Sequence, residues 1–123
     1  ITDNEMLQGY HGPLNHVPQE ISDPHQSLIQ FFTGCDLLVH EAQYTPEEYL
    51  HKTGWGHSSS LNALYLIQQT KTSRWLVTHH DPSHTDLNLH ALQADTQKRL
   101  DEYKIDCNAT WIGDRFVWPI KKA

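Results

Sequence analysis

The sequence predicts an α/β fold, and three observations carry that expectation. Two short apolar runs, Asp36-Leu37-Leu38-Val39-His40 and Arg74-Trp75-Leu76-Val77-Thr78, have the length and continuity of strands buried on both faces. The stretch between them holds a helix over 58–70, with Ser58 as its cap and a stripe of Leu61, Leu64, Tyr65 and Gln68 flanked by Ala63 and Ile67. A longer helix over 85–104 follows the second run, its buried face marked by Leu89, Leu92, Thr96, Leu100 and Tyr103 at spacings of three and four. Strand, helix and strand in that order form a βαβ unit with parallel strands and a right-handed crossover.

The other elements follow along the chain. Pro13, Pro18, Pro24, Gly9 and Gly12 break any periodicity over residues 4–34, which read as a long irregular loop with at most a short helix at Ser27–Phe32. Thr33-Gly34 is the turn into the first strand. Thr45-Pro46-Glu47-Glu48 combines an N-cap, a proline at the first helical position and first-turn carboxylates, so a short helix is expected over 46–52. Gly54-Trp55-Gly56-His57 is a loop; Trp55 either covers a substrate or wedges the loop, and packing is the favoured reading because large aromatics contribute mainly buried area. Two closing strands, 106–111 and 115–119, flank Ile112-Gly113-Asp114 and predict a C-terminal β-hairpin.

Composition narrows the function classes. The 123 residues amount to one domain, 1–123, large enough to bury a core. No run of 18 apolar residues exists, which excludes a transmembrane helix and predicts no membrane partner. Nine basic against fifteen acidic residues give a charge of -6, and no basic run is longer than a pair such as Lys121-Lys122, which argues against an extended nucleic-acid surface. Cys35 and Cys107 are too few for a disulfide framework and lie beside apolar runs. With no signal-peptide pattern, they point to a reducing, cytoplasmic setting. The chain opens on Ile1 rather than Met, so it is expected to be processed or a piece of something longer.

Ten histidines are the unusual feature. Both strands of the βαβ unit end in titratable residues, His40-Glu41 and His79-His80-Asp81. Ligands in open α/β sheets sit outside the carboxyl ends of the strands. That topology brings Glu41 and His79 to one edge, and His57 precedes a helix that starts near it. A histidine on a strand end is a good ligand for a divalent metal. Glu41 beside His57 would orient the ring and hold its proton, which makes a general acid. The competing reading is that these side chains simply cap the sheet with hydrogen bonds.

Residues 35–86, "CDLLVHEAQYTPEEYLHKTGWGHSSSLNALYLIQQTKTSRWLVTHHDPSHTD", resemble the C-terminal half of a metallo-β-lactamase-fold hydrolase of the tRNase Z and cyclic-phosphate phosphodiesterase branch. "ITDNE" resembles the motif of the metal-bridging aspartate, which implies Asp3, and "THHDP" the last metal-ligand motif, which implies His79. "VHEAQY" and "GWGHS" resemble the pair used for proton donation, which implies Glu41 and His57 as catalytic residues. "NATWIGDRFVWP" resembles the closing hairpin. The resemblance implies half of an αββα sandwich, two Zn2+ (or Mn2+) ions in the complete fold, and a small-molecule or nucleotide phosphoester substrate.

The departure is as informative. The first metal motif of that family, H-x-H-x-D-H, is absent, and His16 in "PLNHVP" lies after Asp3 rather than before it. Asp3 and His79 make two ligands where catalytic zinc sites use three or more. Two expectations follow. One is a metal-dependent phosphodiesterase whose metal site is incomplete in this chain, with His11, His16 and His25 as sources of missing ligands. The other is a non-catalytic half-fold that lacks its N-terminal half and self-associates as a homo-oligomer through an exposed sheet edge.

Overall fold

The computed structural model describes residues 4–78 and 86–112, with side chains throughout except at 86–89. Three strands, β1 (Leu37–Glu41), β2 (Arg74–Thr78) and β3 (Asn108–Ile112), form a parallel sheet in the order β1-β2-β3. The register pairs Leu38 with Trp75 and Ala109, and His40 with Val77 and Trp111. Partners in a parallel ladder point to the same side, so these six residues share one face, and all six are buried.

The helix α4 (Ser60–Thr70) packs against β1, and α5 (Asp86–Glu102) against β3. Ser59 caps α4 by accepting from Asn62 N, one residue later than the sequence suggests. Lys71, in the left-handed region at φ 56°, ends it. The connection between β1 and α4 contains the short α3 (Pro46–Tyr49), opened by a reciprocal capping box between Thr45 and Glu48. The expected βαβ unit, its parallel pairing and the α/β class are therefore present.

Two expectations need correction. β1 is not buried on both faces: Leu37 and Val39 are 38% and 37% exposed on the face opposite His40. A run of consecutive apolar residues does not distinguish one covered face from two. The segment 4–34 is less irregular than its prolines imply. It contains α1 (Gln19–Ser22), α2 (Gln26–Phe32) and turns of 3-10 helix at Leu14–His16 and Asp23–His25, with Pro18 and Pro24 at helix starts. Its opening is fastened to the core, with Met6 and Leu7 fully buried and Asn62 Nδ2 donating to Tyr10 O at 2.9 Å.

At the end of the described residues β3 lies parallel to β2; the second strand of the expected hairpin, 115–119, lies outside the described residues. On the side of β3 away from β2, Ala109 N and Trp111 N donate to the side-chain oxygens of Gln97 and Gln93 at 3.4 and 3.1 Å. Two glutamines of α5 thus take the donors of β3 that face away from the other described strands. Trp111 Nε1 donates to Thr96 Oγ1 at 3.0 Å and fixes helix to strand. Among the described residues no helix is long and apolar enough to cross a membrane.

Candidate functional site

The site is built where β1 ends and α4 begins. Glu41, the last residue of β1, is 2% exposed, and its carboxylate reaches across to the loop before α4. Oε1 accepts from Ser58 N at 2.8 Å. Oε2 stands 3.5 Å from His57 Nδ1. That is slightly beyond the usual hydrogen-bond length and within ion-pair reach. The His57 side chain is 31% exposed, so the pair joins a buried carboxylate to an imidazole at the surface. The edge of one ring meets the face of the other between Tyr44 and His57, 6.2 Å apart.

Burial raises the Glu41 carboxyl above its ordinary value of 4.5, against the opposing pull of Ser58 N–H and His57. The sign of the resulting stability change is definite. A carboxyl whose folded value lies above its unfolded one stabilises the fold fully below about pH 4.5, and that contribution is lost as pH rises through the folded value. Glu41→Gln keeps an oxygen for Ser58 N and removes the buried ionisation. It is expected to raise stability at pH 7 by about 0.5–1 kcal/mol, the size of a typical relieved site. The gain should vanish below pH 4.5, which thermal unfolding at both pH values would check.

The chain entering the site is locked to the same corner. Ser58 Oγ donates to Asn4 O and accepts from Met6 N at 2.8 Å. Asn4 Nδ2 donates to His40 Nε2 at 3.0 Å, and His40 Nδ1 donates to Glu41 O at 2.7 Å, which assigns the tautomer from its partners. His40 is fully buried, and burial lowers its imidazole to about 4. Both its nitrogens are engaged, by Asn4 and by the Glu41 carbonyl, so the ring ties the entering chain to the strand end.

Of the four residues singled out in the sequence, Glu41 and His57 come together as expected. Asp3 and His79 lie outside the described residues. Their described neighbours are at this corner: Asn4 touches His40 and Ser58, and Thr78 is the register partner of Glu41. Among the described residues no group of three or more His, Cys, Asp or Glu is placed to hold a metal ion. His25 is engaged as well, its Nε2 accepting from Leu7 N at 2.9 Å, and His11 packs on the Tyr49 ring. Asp3 and His79 are donors of suitable type for a divalent metal, but as a pair they are too few to complete a site.

Trp55 corrects the packing expectation. It is 65% exposed, with Lys52 Nζ 4.0 Å from the centre of its ring. Gly54 and Gly56, at φ +87° and +90°, turn the backbone so that the residue between them faces outward. Sequence reasoning also missed Glu5, whose carboxylate binds this loop. Two glycines spaced by one residue before His57 were the available signal, since such turns expose backbone N–H groups to an acceptor.

A 65-residue stretch, 53% of the chain, is 31% identical to ribonuclease Z of Brevibacillus brevis. A stretch of equal length is 28% identical to ribonuclease Z of Halalkalibacterium halodurans. The chain is similar to ribonuclease Z over half its length. It spans about a fifth of these relatives, 20% and 21% respectively. No family model and no solved structure matches the chain.

Proposed function

We propose that the chain is the C-terminal half of a metal-dependent phosphodiesterase domain with the metallo-β-lactamase αββα architecture, and that Glu41 and His57 are its proton-transfer pair. The observation that carries this reading is the buried Glu41 carboxylate facing His57 Nδ1 at 3.5 Å, at the carboxyl end of a parallel strand. The similarity to ribonuclease Z supports the hydrolase class.

On this reading Glu41 fixes the ring by its Nδ1 side, and Nε2 gives its proton to the leaving oxygen. Burial of Glu41 favours keeping a proton on the pair, which is the state a general acid needs. Asp3 and His79 supply two of the ligands for Zn2+ or Mn2+, and the remainder come from residues outside this chain. When bound, the metal lowers the pKa of water and polarises the phosphoryl group. The substrate is a small-molecule or nucleotide phosphoester, since a charge of -6 provides little general attraction for a long polyanion.

A second reading draws on the open face of the sheet. Parallel sheets are normally covered on both sides, yet Leu37 and Val39 are more than a third exposed. That favours a layer supplied from elsewhere, by an N-terminal half or by a second copy in a homo-oligomer.

Elemental analysis separates these readings. The complete protein is expected to hold up to two ions, to lose phosphodiesterase activity on chelation, and to lose metal in Asp3→Asn and His79→Ala variants. The 123-residue chain alone is expected to hold little metal and to sediment as an oligomer. Full metal occupancy in both variants would overturn the ligand assignment, and a monomer at high concentration would overturn self-association.

A further inference from the structure

We propose that Glu5 is the positioning residue that sets His57 against Glu41. The inference rests on the reading of His57 as a proton donor, and it concerns a side chain that neither the resemblance nor the strand topology singles out.

Glu5 gathers three donors from distant parts of the chain. Its Oε2 accepts from Tyr49 OH at 2.5 Å and from Gly54 N at 2.9 Å, and its Oε1 accepts from Gly56 N at 2.9 Å. Tyr49 is 1% exposed and anchors the arrangement in the core, its hydroxyl also accepting from Gly9 N at 2.9 Å. The next alternate donor along the loop, Ser58 N, goes to Glu41 Oε1 at 2.8 Å. The N–H groups of residues 54, 56 and 58 therefore meet two carboxylates in sequence, and His57 is strung between them.

The glycines are required by conformation rather than by space. A Cβ on Gly56 would meet nothing within 4 Å, and on Gly54 its closest neighbour would be Gln8 Nε2 at 3.8 Å. Both hold φ values near +90°, which side-chain-bearing residues rarely adopt. That backbone brings two N–H groups to bear on one carboxylate. Charge-assisted bonds of this kind are short and directional, so the loop is held in one geometry. Glu5 also lies two residues after Asp3, so one segment delivers the carboxylate of the proposed metal site and the clamp on the proton donor.

A displacement of about 1 Å at a reacting group is enough to cost about a hundredfold in rate. Glu5→Gln preserves length but turns an amide N–H2 toward at least one of the three donors. In the complete, metal-loaded protein, turnover of a diester with a poor leaving group should fall about ten- to a hundredfold more than turnover of one with a good leaving group. The KM of both should stay within about twofold. This extra loss should disappear in a His57→Ala background, because both substitutions then remove the same function. Glu5→Asp, one methylene shorter, should show the same bias at smaller size. Equal losses on both esters, or full additivity with His57→Ala, would mean that Glu5 merely stabilises the loop.

A spectroscopic arm keeps the inference separate from the proposed function. In Glu5→Gln, the ring contacts between His57 and Tyr44 should weaken in nuclear Overhauser spectra, and the Gly54 and Gly56 amides should exchange faster. If His57→Ala shows no leaving-group bias, the proton-donor role fails while these spectra still decide whether Glu5 positions the ring. Unchanged His57–Tyr44 contacts would overturn the positioning role itself.

Discussion

His57→Ala is expected to slow hydrolysis of a phosphodiester with a poor leaving group by about 10²–10⁴-fold, the usual range for a lost general acid. An alkoxide leaves badly unless a proton reaches it in the transition state. A nitrophenolate disperses its own charge and leaves without help, so the same variant should retain most of its turnover of a nitrophenyl ester. The difference between substrates is the diagnostic quantity, because loop damage or lost metal would depress both alike. Glu41→Gln should follow the same pattern at smaller size. It keeps an oxygen for Ser58 N but ends the charged contact with His57 Nδ1, now 3.5 Å from Oε2. Steady-state rates on the two esters, measured with metal content held equal, check this. Matching losses on both would remove His57 from proton donation and leave the pair a cap on the sheet.

That competing role is already partly visible. Ser58 N, Asn4 and the carbonyl of Glu41 are all satisfied by the same corner of side chains, as a sheet end requires. What exceeds capping is the burial of an ionisable carboxyl at a cost in folding stability, with its partner imidazole opening to solvent. A neutral glutamine would cap Ser58 equally well. A stability deficit held at a strand end is the kind of local inconsistency that accompanies function.

The sequence makes some of this legible and hides the rest for physical reasons. The strands at 37–41 and 74–78 and the helix between them are visible because apolar periodicity and length are local properties. The meeting of Glu41 and His57 follows from topology, since Glu41 ends a parallel strand and His57 lies just before the crossover helix that starts at the same edge. His40 reads as another titratable strand-end residue, yet its register neighbours Val77 and Trp111 place it in the core. Trp55 reads as packed, because composition does not reveal that two positive-φ glycines turn it outward. Glu5 is hidden by distance: its donors lie 44, 49 and 51 residues along the chain, and no local pattern announces them. The pairing of β3 with β2 is not announced by local pattern either, because it depends on α5 returning the chain to lie beside the central strand.

The second large effect is on the core. Trp75→Ala is expected to destabilise the fold by about 3–5 kcal/mol, the usual loss for a buried large aromatic. For a chain of this size that lowers the unfolding midpoint by roughly 10–20 °C. Trp75 is fully buried on the central strand, between Leu38 and Ala109 in register, and the small alanine leaves space for the indole. Its Nε1 donates to His40 O at 3.2 Å, the carbonyl immediately before Glu41. The substitution therefore opens a cavity and releases an acceptor at the strand end that carries the site. Trp75→Phe separates the two contributions, because it keeps most of the buried ring and removes only the donor. It is expected to cost about 1–2 kcal/mol, the size of an unsatisfied buried acceptor plus a small void. Urea unfolding with unchanged slope measures both. A loss below about 1 kcal/mol for the alanine variant would contradict a close-packed indole at this position. A phenylalanine variant as unstable as alanine would shift the weight from packing to the bond with His40. Strand-end geometry at Glu41 would then rest on a single hydrogen bond rather than on the core beneath it.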